Sequence, residues 1–276
     1  FSKKELGLAS GVISMGMALG FMIGSLVSAT VLSPMLGGWR NVLILYGVIA
    51  MAFSIPWYFS KNRTRRENET SSANTTLSIK ETMLTAIRVR NVWLLGLAIL
   101  GVGGCIQGTL GYLPLYLRGQ GWTSANADGA LATFHLISLI FVMPIALLSD
   151  RIGSRKKILL TATGLILLGV GLLSFVQGFS IWIAVLMAGM VRDGFMAVFM
   201  TMIIETEGVG PRLAGTATGL VMVFSGISNL IAPPWGNSLA SISPGLPFLF
   251  WASLTLFGLI GLYLAREKNV QVLLPP

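Results

Sequence analysis

Long apolar runs separated by short polar breaks dominate this chain. Eight such runs are recognisable, at about residues 7–34, 41–60, 91–117, 126–149, 156–178, 180–204, 213–236 and 246–265. A helix crosses the bilayer core with about 20 apolar residues, and each run is near that length. Lipid offers the backbone no hydrogen-bond partners, so these runs are expected as helices. The alternating pattern of a lipid-exposed β-barrel is absent. The expected fold class is therefore an all-α membrane protein with eight transmembrane helices. One long polar segment, residues 60–91, interrupts the series and divides the spans two and six. It opens basic and continues rich in Ser, Thr and Asn. It then turns helical in character: Ser78 and Glu81 have capping-box spacing, and Leu77, Leu84 and Ile87 share a face. A linker feeding a short interfacial helix is expected there.

Composition agrees with this pattern. The chain is 54% hydrophobic and 11% charged, whereas soluble domains carry about 25% charged residues. A net charge of +9 would suggest nucleic acid as partner, but its distribution excludes that reading. With the N-terminal end placed in the cytoplasm, sixteen of the nineteen Lys and Arg fall on the cytoplasmic side. Arg40 and Arg118 fall opposite, and Arg192 alone lies inside a span. This is the positive-inside bias of a membrane protein, and an anionic inner leaflet adds to it. The expected location is the plasma (inner) membrane, multi-pass, with both ends of this chain and residues 61–90 cytoplasmic. A cysteine placed at Gly119 is then expected to label from outside intact cells, and one at Ser72 only after permeabilisation. The reverse pattern would invert the topology.

Chemistry of the enzymatic kind is missing. There is no metal-spaced His/Cys cluster, no Walker A loop and no nucleophile elbow. The chain is expected not to be an enzyme, to need no cofactor or metal, and not to be driven by ATP. The single cysteine, Cys105, lies within a span and reads as packing. Sequons at Asn62, Asn68 and Asn74 fall on the cytoplasmic side, where glycosylation is not expected.

An internal repeat is present. "LGLASGVISMG" at 6–16 is similar to "LAGTATGLVMV" at 213–223, with Gly7, Ala9, Ser10 and Gly11 opposite Gly215, Ala217, Thr218 and Gly219. The pairing relates the first two spans to the last two. The loop "ALLSDRIGSRKKILL" at 146–160 fits a signature of Gly-x-x-x-Asp-Arg-x-Gly followed by basic residues. Asp150, Arg151, Gly153, Arg155 and Lys156 occupy its positions, and Ala146 replaces its first Gly. "GGWRNVLILYG" at 37–47 is similar to a turn between fifth and sixth helices. On these motifs the chain resembles the major facilitator superfamily. The resemblance implies a bundle of twelve helices in two halves, of which eight are here and the first four are lacking. Residues 1–60 would be the last two helices of the N-terminal half, 61–90 the cytoplasmic central linker, 91–269 the C-terminal six-helix half, and 270–276 a tail. It also implies secondary active transport of a small solute by alternating access. The alternatives are a non-transporting receptor or assembly subunit of the same fold, and a drug/proton antiporter. Antiporters of the family usually carry a Gly-Pro signature on the helix of the first span. Here Gly16, Gly20 and Gly24 have no proline among them before Pro34.

The sixth span places Arg192 and Asp193 side by side within an apolar run. A charge at the bilayer centre costs about 2.5–3.5 kcal/mol on insertion scales, and Arg cannot escape by losing its proton. Arg192 is therefore expected to face protein or water. In the resembling family, the fourth helix of each half lines the central cavity, and the sixth span is that helix. This makes Arg192 the candidate for an anionic solute, with Gln107 and Asn229 as polar lining. Asp193 and His135, the only histidine, are the candidate proton-coupling groups. The alternative for Arg192 and Asp193 is a buried pair that ties helices together. In the loop, Asp150 ends a helix where an anion opposes the helix dipole. Arg151 and Arg155 are expected to answer it, with Gly153 permitting the turn, so that the loop acts as a gate. Three further expectations concern packing. Gly16, Gly20, Gly24 and Ser28 form one small face, Gly104, Gln107, Gly108 and Gly111 another, and Pro233 and Pro234 break or bend the seventh span.

Overall fold

The computed structural model describes residues 6–59 and 79–267. The start of the linker with its sequons, Leu77, the Ser78 cap and the 270–276 tail lie outside the described residues. All regular structure within them is helical. Helix α1 covers Leu6–Val27 and runs on through a π-helical turn, Ser28–Leu32, into Ser33–Met35. There follow α2 (Trp39–Phe59), α3 (Ile79–Arg88), α4 (Arg90–Gly119), α5 (Ser124–Ile152), α6 (Arg155–Leu172), α7 (Ser180–Glu205), α8 (Gly210–Ser238) and α9 (Leu246–Leu264).

Seven of these helices, all except α3 and α6, are long and apolar enough to cross a membrane, where eight spans were expected. The shortfall is α6. It has 18 residues and opens on Arg155, Lys156 and Lys157. Its apolar run also ends early, because residues 173–175 form a turn. It still belongs to the bundle, packed on α7 and α9 with Leu159, Ile166 and Val170 fully buried.

Helices α4 to α9 form one packed body: α4 lies against α8 and α9, α5 against α7, and α6 joins α7 to α9. Lipid tails are as apolar as leucine, so close backbone approach replaces the hydrophobic drive between helices. Gly101 of α4 faces the Leu254 carbonyl of α9, and Gly261 of α9 faces that of Leu94; a Cβ at either would collide with backbone. Trp251 of α9 fills the gap between Gly108 of α4 and Gly236 of α8, and its indole N–H donates to the Ala232 carbonyl at 2.7 Å. Pro233 and Pro234 lie inside α8, which runs on to Ser238, so they do not end the helix. Membrane helices tolerate internal proline when neighbours satisfy the loosened stretch, and Trp251 is packed on that stretch.

The other packing expectations divide. Gly104 and Gly108 do turn to α8 and α9, but Gln107 is exposed and Gly111 faces open space. The α1 face of Gly16, Gly20 and Gly24 touches nothing described, since a Cβ on any of them would meet no atom within 4 Å. Helix α1 instead packs through other residues on α5 and α7. Among the described residues helix α2 contacts only the segments joining it to α1, where Tyr46 Oη lies 2.8 Å from Ser28 Oγ. Helix α3 rests on α8 and buries Ala86, while Leu84 and Ile87 stay exposed, as on an interfacial helix.

Candidate functional site

Midway along α7 the chain reads Gly189, Arg192, Asp193, Gly194 at the crossing with α5. The two glycines create the site. A Cβ at Gly189 would lie 2.9 Å from the Phe134 carbonyl oxygen, and one at Gly194 would lie 2.8 Å from Ile145. Without those side chains α7 and α5 close on each other, and the two charged residues are carried into the crossing. The Arg192 side chain is only 17% exposed and that of Asp193 13%. Gly189→Ala is expected to cost about 1–3 kcal/mol, the usual range for overpacking, because the obstacle is backbone. Thermal unfolding of the purified protein measures it, and wild-type stability would show that the crossing is loose.

Within the crossing, Arg192 Nη1 lies 3.1 Å from Asp193 Oδ1 and 3.2 Å from His135 Nδ1. Adjacent helical residues point about 100° apart, yet the long arginine stem reaches round to its neighbour. Arginine only donates, so His135 Nδ1 accepts and the ring carries its proton on Nε2. The Asp193 amide donates to Ser138 Oγ at 2.9 Å, while Asp193 Oδ2 is buried with no hydrogen-bond partner. Phe21 of α1 covers the group: its ring stacks on His135 at 5.5 Å and lies 5.1 Å from the Arg192 guanidinium carbon. Three of the expected site residues therefore meet. Gln107 and Asn229 do not join them. Both are exposed at the seam of α4 and α8, where a Cβ on Gly103 would sit 3.7 Å from Asn229 Oδ1. Neither bonds to Arg192. Sequence reasoning missed Ser138 and Phe21. Ser138 was findable, one turn beyond His135 on the same face, whereas nothing distinguishes Phe21 from other apolar residues of α1.

The loop between α5 and α6 forms a second charged locus. Gly153, at φ +70°, ends α5 in the left-handed region, and its amide donates to the Ser149 carbonyl at 3.1 Å. Arg155 binds Asp150 as expected, and also Ser149 Oγ at 3.1 Å and Glu205 at the end of α7 at 3.3 Å. Burial works against the Arg155 charge, but the Asp150 and Glu205 carboxylates hold its pKa above the ordinary arginine value. Glu267, just beyond α9, accepts from the Arg155 and Lys156 amides and from Ser154 Oγ at 2.7 Å. A carboxylate there suits the positive end of α6. Lys156 Nζ in turn donates to the last carbonyls of α9, Tyr263 at 2.6 Å and Ala265 at 2.9 Å. Arg151, expected to answer Asp150, is exposed and makes no ion pair with a described residue. Glu205 and Glu267 were missed, because only the fold brings residues 50 and 112 positions away to Arg155.

A bundle of apolar spanning helices, with a charged cluster at mid-depth and an ionic loop at one end, is a multi-pass helical membrane protein. The Major Facilitator Superfamily family matches residues 1–233 and, in a second match, 126–275. The chain belongs to that superfamily and is a membrane transporter in general class. No curated protein matches the chain closely enough to count as a relative.

Proposed function

We propose that this chain belongs to a secondary active transporter that carries a small organic anion by alternating access, with Arg192 as the anion-binding group. The observation that carries the reading is how the guanidinium is used. Both of its polar contacts run through Nη1. Nε and Nη2 bond to no described residue and are not among the fully buried polar atoms without a partner. The remaining edge of the guanidinium is the planar fork that takes a carboxylate in a bidentate manner. Desolvation strengthens such a pair, and His135 and Asp193 hold the fork at a fixed angle. Asp193 is the proton-coupling carboxylate, its Oδ2 waiting without a partner, and His135 positions the cation. Gln107 and Asn229, exposed on α4 and α8, are the polar groups the solute meets along its path. Protons are the coupling ion, and the loop around Asp150 and Arg155 gates the cytoplasmic side.

The test is solute binding by the purified protein, wild type against Arg192→Lys and Arg192→Gln, across anionic, neutral and cationic panels. Anion binding is expected to weaken in the Lys variant, which keeps the charge but loses the fork, and to vanish in the Gln variant. A cationic substrate, or unchanged anion affinity in the Gln variant, would refute this role.

A further inference from the structure

A third group of charges lies at the same end of the bundle as the α5–α6 loop. Arg90 opens α4, Arg266 follows the end of α9, and Glu207 lies in the turn between α7 and α8. With Val89, Asn91 and Leu264 they line a cleft of about 360 Å³. The walls are set by the backbone. Asn91 clips the chain beyond α9: its Nδ2 donates to the Arg266 carbonyl at 3.0 Å, and its Oδ1 accepts from the Arg266 amide at 3.1 Å. On the other side Gly208, at φ +84°, turns the α7–α8 connection against Val89, whose side chain would lie 3.5 Å from a Cβ there. The three charged residues are exposed, and none bonds through its side chain to another described residue. Two cations and an anion thus share one cleft without neutralising one another. A ligand with groups of both kinds fits between them.

The depth of the cleft narrows the choice of ligand. Helix α3 runs directly into Val89 and leaves Met83, Leu84 and Ile87 exposed. Trp93, half-exposed, donates its indole N–H to the Ile87 carbonyl at 2.7 Å. An amphipathic helix of this kind lies in the headgroup layer, and tryptophan favours the same level. The cleft therefore opens among lipid headgroups. Charge narrows the choice further. Two guanidinium groups and one carboxylate leave one net positive charge, which a single phosphodiester balances. Guanidinium is the side chain best shaped for phosphate oxygens. Glu207 then needs a hydrogen-bond donor from the part of the headgroup beyond the phosphate. Hydroxyls supply one without adding charge, whereas an ammonium group would leave one cation of the cleft unbalanced. Leu264 and Val89 offer apolar surface to the glycerol end of the lipid.

We propose that this cleft is a binding site for an anionic phospholipid with a hydroxylated headgroup, its phosphodiester on Arg90 and Arg266 and its hydroxyls on Glu207. The bound headgroup joins the start of α4 and the end of α9 to the turn after α7. The site does not depend on Arg192 binding an anion, nor on which solute is carried.

The experiment titrates the purified protein in detergent with dioleoyl phosphatidylglycerol and counts bound lipid by native mass spectrometry. Phosphatidylethanolamine and phosphatidylmethanol with the same chains, and water-soluble glycerophosphoglycerol, are compared with it. Phosphatidylglycerol is expected to bind about tenfold or more tightly than phosphatidylethanolamine. The Arg90→Gln, Arg266→Gln double variant is expected to lose that preference. A Lys80→Gln, Lys157→Gln variant, which removes the same charge from exposed side chains outside the cleft, is expected to keep it. In Glu207→Ala, phosphatidylglycerol and phosphatidylmethanol should bind alike, since the latter has the charge but no hydroxyls. Equal or tighter binding of phosphatidylethanolamine would overturn the proposal, as would a preference that survives the double arginine variant or falls equally in the lysine variant. Glycerophosphoglycerol competing as well as the lipid would place a soluble phosphodiester there instead. Should the double variant fail to fold, Arg90→Gln and Arg266→Gln are read singly, and wild-type preference in both would equally defeat the idea. No transported solute enters these measurements, so failure here and failure of the Arg192 assignment are separable.

Discussion

Removing either charge of the Arg192–Asp193 pair alone is expected to destabilise the bundle by about 3–5 kcal/mol, and removing both is expected to return most of that loss. In Arg192→Gln the Asp193 carboxylate stays in the crossing with Oδ2 already lacking a partner. In Asp193→Asn the guanidinium stays there without its counter-ion. The Arg192→Gln, Asp193→Asn double variant leaves two neutral amides of similar volume at the same place. A thermal-unfolding cycle over the four proteins measures the coupling. Single variants as stable as wild type would mean the pair is solvated rather than enclosed. The double variant also separates structure from function. A pair that only ties helices predicts that it still binds solute, whereas the anion-binding fork predicts that a stable protein has lost binding altogether.

Arg155→Gln is expected to lower transport about tenfold or more while leaving expression nearly intact. Arg155 joins the end of α5, through Asp150 and Ser149, to the end of α7, through Glu205. Asp150 is 54% exposed and Glu205 41%, so solvent screens each bond and the effect on folding is small. A conformational equilibrium is more sensitive, because about 1.4 kcal/mol shifts a ratio tenfold. Asp150→Asn should act in the same direction but more weakly, since the tie from Arg155 to Glu205 survives. Initial transport rates normalised to protein in the membrane decide the matter. Wild-type rates in both variants would reduce the loop to an anchor. Because Arg155 has a raised pKa, its charge is kept as pH rises past neutral, and its contribution is lost as pH climbs through that raised value.

The apolar runs made seven of the spans legible, since lipid leaves the backbone no alternative to helix. They overcounted by one at α6. There the hydropathy of 156–178 concealed Lys156 and Lys157 in the first turn, beside Arg155, and a turn after Leu172. Local spacing likewise gave the Gly153 turn, the approach of Arg155 to Asp150, and the expectation that Arg192 would turn away from lipid. Each of these depends on residues within a few positions of one another, where helix geometry alone sets the distances.

The partners across the bundle were decided by packing. Gly189 and Gly194 look like any other small residues in the chain, and only the crossing with Phe134 and Ile145 shows why they lack a side chain. His135 comes to Arg192 because those glycines let α5 and α7 close, while Gln107 and Asn229, equally polar and equally placed in apolar runs, were left at another seam. Phe21, Glu205, Glu267 and the ion pair of Arg118 with Asp128 belong to the same category: ordinary residues by composition, given meaning by a neighbour on a different helix. In a membrane every long helix satisfies its own backbone, so the sequence determines that helices form and roughly where they begin and end. Which faces meet is chosen by side-chain volume and by the cost of leaving a charge unpaired, and both become visible only when the helices are together.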